Sequence, residues 1–120
     1  MSRGLGSLEI YKSALRLSDM AWHIVETLPK PYRFGMGMQL LNATDSIGAN
    51  IAEGYGRFHY KDSLKFYYNA RGSLWETKHW IWLLHKRRFV NRERFDTFLS
   101  EIETLGKQLN VFIGRLRNVR

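Results

Sequence analysis

The chain has 120 residues, 44% of them hydrophobic and none of them cysteine. That is enough apolar material for one domain with its own core, and it excludes a disordered chain, a disulfide frame and a thiolate metal site. A formal charge of +8 and a pI near 10.0 favour a polyanionic partner, of which nucleic acid is the commonest inside a cell.

The first periodic segment predicts a helix over about 8–28. Ile10, Ala14, Leu17, Ala21, Ile24 and Leu28 step by four and three into one apolar seam. A second seam, Tyr11, Leu15, Ser18, Trp22 and Val25, runs beside it. Lys12, Arg16, Asp19, His23 and Glu26 take the remaining face. Pro29 and Pro31 stop this helix, because proline disfavours helical geometry in the residue before it.

The second helix is expected over about 36–55, ending at Gly54 or Gly56. Gln39, Asn42, Ser46, Asn50 and Glu53 share one edge, which carries too little charge for a solvated face. The edge reads as a partly buried polar seam that fixes register between helices or between subunits. The opposite arc holds Leu40, Leu41, Thr44, Ile47, Gly48, Ile51 and Ala52. A glycine inside a helix costs about 1 kcal/mol against alanine, so Gly48 implies close helix packing.

The third helix is predicted over about 61–85, with an inner stripe of Phe66, Ala70, Ser73, Thr77, Ile81 and Leu84. A second face carries Leu64, Tyr68, Trp75 and Trp82. Tryptophan and tyrosine on such a face suit a subunit interface or a stacking surface for bases. The interface is the expectation, with Tyr11 and Trp22 contributing from the first helix, because large exposed apolar patches are uncommon on monomers. The fourth helix, over about 92–117, has the heptad seam Phe95, Phe98, Ile102, Leu105, Leu109, Phe112 and Leu116. Short links between long helices imply antiparallel neighbours. The expected architecture is therefore all-α, an antiparallel up-down-up-down four-helix bundle in one domain spanning 1–120.

Local motifs argue against catalysis. The run SIGANIAEGYGR, Ser46 to Arg57, has glycines but no lysine and no preceding strand, so it is neither a P-loop nor an esterase elbow. Glu76 and His79 form a single Glu-x-x-His pair, where a di-metal bundle needs two such pairs and two further glutamates. Glu53 and Glu76 could meet as an acid–base pair, but structural pairing with donors such as Arg71 or Asn50 is the plainer reading. No enzyme, cofactor or metal is expected. The start of the chain lacks the apolar run of a signal peptide, and WIWLL, Trp80 to Leu84, is too short to span a bilayer. A soluble, cytoplasmic protein away from membranes is the expectation.

The runs LPKPYRFGMGMQLLNATDSIGANIAEGYGR, Leu28 to Arg57, and FYYNARGSLWE, Phe66 to Glu76, resemble a family of bacterial four-helix-bundle proteins. The family is named for members encoded within intervening sequences of large-subunit ribosomal RNA genes. The resemblance covers about 10–109, and its most specific portions are Ser46-Ile47-x-x-Asn50-Ile51-Ala52-Glu53-Gly54 and Gly72-Ser73-x-x-Glu76. It implies an up-down four-helix fold and a ring-shaped homo-oligomer, commonly a pentamer. A more distant resemblance, to the accessory protein of diversity-generating retroelements, implies a reverse transcriptase as partner. Trp75, Trp80 and Trp82 are bulkier than the family pattern.

In an up-down bundle the first and third links share one end. That end gathers Lys30, Arg33, Lys86, Arg87, Arg88, Arg92 and Arg94, and the other gathers Arg3, Arg57, Lys61, Arg115, Arg117 and Arg120. In a ring, each set becomes a basic collar able to bind phosphates with steep salt dependence. The plain alternative is that charged residues populate loops, and that cations suit helix C-termini. The expected function is a non-enzymatic, oligomeric nucleic-acid-binding accessory protein, for RNA rather than DNA. The competing expectation is a protein-interaction scaffold that docks a partner through its aromatic face.

Overall fold

The computed structural model describes residues 4–57 and 59–118. Among them four long helices carry the fold: the first is Glu9–Thr27, the second Met38–Tyr55, the third Tyr60–Lys86 and the fourth Arg92–Arg117. No strand occurs among the described residues. The first helix packs against the second and the fourth, and the third packs against the same two. A 27-residue helix is about 40 Å long, which sets the 49 Å long axis of the molecule.

Specific contacts give the register of each pair. Ser13 Oγ donates to Gln108 at 2.7 Å and Arg16 Nε to Glu101 at 3.3 Å, joining the first and fourth helices. Ser18 donates to Asp45 between the first and second. Tyr67 packs at a tilt against Phe112 with ring centroids 4.8 Å apart, and Trp82 meets Phe95 edge-on at 5.0 Å, between the third and fourth. All six residues of the first helix's inner seam are buried, from Ile10 to Leu28. Of its second seam, Val25 is buried, Tyr11 and Ser18 are half-buried, and Leu15 and Trp22 remain exposed.

Three sequence expectations are corrected. The core stripe of the third helix is set one residue further on than Phe66 and Ser73: Ser63, Tyr67, Ala70, Leu74, Thr77, Ile81 and Leu84 are buried, whereas Phe66 and Ser73 are half-buried. A helix wedged against two neighbours buries a broad arc, and adjacent positions fit it equally well by period alone. On the fourth helix the seam drifts from Phe112 to the buried Ile113. A straight helix turns 3.6 residues per turn, so a strict heptad slips about 20° per repeat.

The third correction concerns the first link. Pro29 ends the first helix, but Pro31 does not lie outside helical structure. It occupies the first turn of Lys30–Tyr32, where its missing N–H costs nothing. The chain continues through the wider turn Arg33–Gly37 into the second helix, bending at Gly35, whose φ −101° and ψ −105° are not helical. Gly37 is needed there: a Cβ would come within 2.9 Å of Leu28 Cδ1. At the far end Gly54 lies inside the second helix and Gly56 caps it with an ordinary φ of −76°.

Candidate nucleic-acid interface

The first link and the third, 87–91, lie against each other. Tyr32 and Phe89 pair with ring centroids 4.6 Å apart, and Arg87 Nη1 approaches Met36 Sδ at 3.0 Å. This contact gathers Lys30, Lys86, Arg87 and Arg88 at one end, all exposed. Arg92 and Arg94 follow immediately on the first turn of the fourth helix, which Asn91 caps by accepting from Arg94 N–H at 2.8 Å. An open cleft of about 490 Å³, lined in part by Thr27, His85, Arg88 and Arg94, joins the end of the first helix to this turn.

The third helix ends in a complete Schellman motif. Phe89 N–H donates to Leu84 C=O at 2.9 Å and Arg88 N–H to His85 C=O at 3.0 Å, with Arg88 at φ 67°. The left-handed region favours glycine, and a side chain held there costs about 1–2 kcal/mol. Its occupant here is a cation. His85 stacks on Phe95 at 4.2 Å with Nδ1 2.9 Å from Val90 C=O, which fixes the base of the turn.

The basic residues at this end differ in what engages them. Arg33 is a structural cap: its Nε donates to Leu28 C=O at 2.9 Å and its Nη2 to Glu26 C=O at 3.1 Å, closing the C-terminus of the first helix. The structure thus gives Arg33 a capping role that the sequence does not show. Arg92 makes an exposed pair with Asp96 at 3.5 Å. Among the described residues, Lys30, Lys86, Arg87, Arg88 and Arg94 form no ion pair with a carboxylate.

At the opposite end one cation is engaged. Arg57 pairs with Glu53 at 3.0 Å and lies over the Phe66 ring at 4.7 Å. Lys61, Arg115 and Arg117 are exposed, and Arg115 lines a groove with Ser7 and Leu8. Arg3 and Arg120 lie outside the described residues.

The polar seam of the second helix is open in the single chain. Gln39, Asn42 and Glu53 are exposed, Ser46 and Asn50 are half-buried, and Asn50 donates to Ser46 C=O within its own helix. Register between helices is set elsewhere, by the Ser13–Gln108 and Ser18–Asp45 hydrogen bonds. Glu53 and Glu76 do not pair either: Glu76 accepts from Trp80 Nε1 at 3.3 Å on its own helix. On the third helix Trp75 is 66% exposed and Trp82 51%, with Tyr68 on the same side. Lys78 lies over Trp75 at 5.0 Å and Arg71 over Tyr68 at 5.1 Å, so this aromatic face has a cationic trim.

Two further exposed aromatics, Tyr32 and Phe34, belong to the basic end and escaped the sequence reading. The alternation Lys30-Pro31-Tyr32-Arg33-Phe34 is their signal, and in the sequence alone it has the form of a helix boundary.

The family model described as 23S rRNA-intervening sequence protein matches residues 6–111. No curated protein matches the chain. A crystal structure of a protein of unknown function from the S23 ribosomal protein family of Bacteroides thetaiotaomicron superposes with a TM-score of 0.81 at 24% identity. The match covers 87% of this chain and 97% of that one. That likeness concerns the fold alone.

Proposed function

The chain belongs to the 23S rRNA-intervening sequence protein family, and from that premise we propose that it is a non-enzymatic RNA-binding accessory protein that grips phosphates with one basic end. The observation that carries this is the meeting of the first and third links. It concentrates Lys30, Lys86, Arg87 and Arg88 without a carboxylate partner among the described residues. Phosphate contacts of this kind release counterions, so binding is sequence-tolerant and weakens steeply with salt. Arginine's planar fork suits phosphate better than lysine's point charge. Binding rather than catalysis is favoured because Glu53 and Glu76, the pair considered for acid–base work, are exposed and engaged on their own helices.

The helices are read as an antiparallel up-down bundle that closes into a homo-oligomeric ring, commonly a pentamer in the family this chain resembles. The exposed faces of Leu15 and Trp22 on one side and Tyr68, Trp75 and Trp82 on another support two different, mutually packing surfaces. RNA is preferred to DNA on the family description, and a cytoplasmic setting accords with it. No described helix is long and apolar enough to cross a membrane.

The test is the variant Lys86→Glu/Arg87→Glu/Arg88→Glu in a filter-binding assay with structured RNA. The expected result is a loss of affinity of at least a hundredfold at low salt, on the order expected for losing several phosphate contacts, with a shallower salt slope. Unchanged affinity sinks the reading. The exposed Trp75 and Trp82 favour a second reading, a scaffold docking a partner protein such as a reverse transcriptase. Its signature is a salt-insensitive pull-down of one protein, lost in Trp75→Ala/Trp82→Ala.

A further inference from the structure

We propose that the basic end recognises unpaired bases as well as phosphates, with Phe34 as the stacking platform, so that its ligand is single-stranded or looped RNA rather than duplex. The inference rests on the RNA-binding reading above and names the class of RNA.

Phe34 is 73% exposed, more than any other large apolar residue among those described, and Tyr32 beside it is 44% exposed. A solitary exposed phenyl would carry no argument, since single surface hydrophobics are ordinary. This one lies on the link that packs against the Lys86-Arg87-Arg88 turn, through the Tyr32–Phe89 ring pair and the Arg87–Met36 contact. Cations that follow a backbone, interleaved with aromatic rings that accept bases, are the chemistry that binds single strands. A-form duplex hides its base faces and offers phosphates and 2′-hydroxyls instead. A protein partner fits less well, because lysine is depleted at protein interfaces and this end carries Lys30 and Lys86 with no carboxylate partner among the described residues.

The backbone that carries Phe34 is anchored on both sides before any ligand arrives. Arg33 ties the link to the last carbonyls of the first helix, Gly37 packs under Leu28, and Tyr32 rests on Phe89. The prolines at positions 29 and 31 restrict the same link. Little conformational entropy is left to lose when a base stacks. The bend at Gly35 separates Phe34 from the regular turns of the second helix, which leaves its ring unshielded by that helix.

The experiment measures fluorescence anisotropy with a labelled oligouridine and a blunt RNA duplex of equal length, at fixed low salt. Phe34→Ala is expected to weaken oligouridine binding roughly tenfold, within the range that losing one base–aromatic stack produces. Duplex affinity is expected to stay within about twofold, because phosphate contacts remain. Phe34→Trp is expected to keep oligouridine affinity and to show indole quenching when the strand is added. Equal loss for both probes, or no loss for either, overturns the stacking assignment. A changed sedimentation coefficient in Phe34→Ala with RNA affinity intact also overturns it, and makes the tip a protein contact. If the Lys86→Glu/Arg87→Glu/Arg88→Glu variant loses both probes while Phe34→Ala loses neither, stacking alone fails and the phosphate reading stands. If the unmodified protein binds neither probe, both fall.

Discussion

Gly48 and Gly54 are six residues apart on one helix, yet they do opposite things. A Cβ on Gly48 would touch Ala14 Cβ at 3.8 Å and Tyr11 Cε1 at 3.9 Å, ordinary contact distances. A Cβ on Gly54 would lie 2.9 Å from both Cε2 and Cζ of Tyr67, a buried ring also packed against Phe112. Gly48→Ala should therefore be neutral or stabilise the protein by up to about 1 kcal/mol, the ordinary helix-propensity difference. Gly54→Ala should destabilise by about 1–3 kcal/mol through overpacking. Denaturant titration of the two variants checks the pair, and the reverse order would contradict the packing described. The same ring has a pH signature. Burial, with a smaller push from Tyr55, raises the Tyr67 hydroxyl from 10.0 to about 12. The unfolded chain then loses that proton first, so the contribution is complete below pH 10 and is lost as pH rises from 10 to 12. On the order of 2 kcal/mol should disappear across that window, and Tyr67→Phe should flatten the fall.

Among the elements, the long helices were legible because their apolar steps repeat over many turns. The predicted 8–28, 36–55, 61–85 and 92–117 differ from the observed helices by two residues or fewer at each end. The first link was not legible. Whether a Pro-x-Pro run stops a helix or starts the next depends on what satisfies the carbonyls behind it, and Arg33 does that from five and seven residues away. No periodicity records such a contact. Arg33→Ala should cost about 1 kcal/mol and loosen the link, while Arg33→Lys should rescue only part of it, because one ammonium does not reproduce the two-carbonyl geometry of the fork. Amide hydrogen exchange over residues 26–37 would read both effects. The aromatic tip shared this obscurity: Tyr32 and Phe34 look like boundary residues until the third link is seen lying against them. The basic residues themselves were legible as a set, but not which were occupied. Only the contacts distinguish Arg33 and Arg57, already engaged, from Lys86 and Arg88.

For the whole molecule, the exposed indoles decide between the two functional readings. If Trp75 and Trp82 close a ring, Trp75→Ala/Trp82→Ala should sediment as a smaller species while keeping its helical circular dichroism. It should also bind RNA more weakly, since fewer basic ends act together. If they dock a foreign protein, the oligomer persists and only the pull-down is lost. The molecule's two ends are unlike in a way that bears on either outcome. Both carry exposed cations, but only the first sets a bare phenyl ring beside them, while at the other Arg57 is held by Glu53 and Phe66 and Lys61, Arg115 and Arg117 stay exposed. Copies related by a single rotation axis would all present the same end upward, so such an assembly would have a front and a back. A strand that stacks on the bare ring would engage one side, and tethering the protein by that end should cost more capture than tethering it by the other.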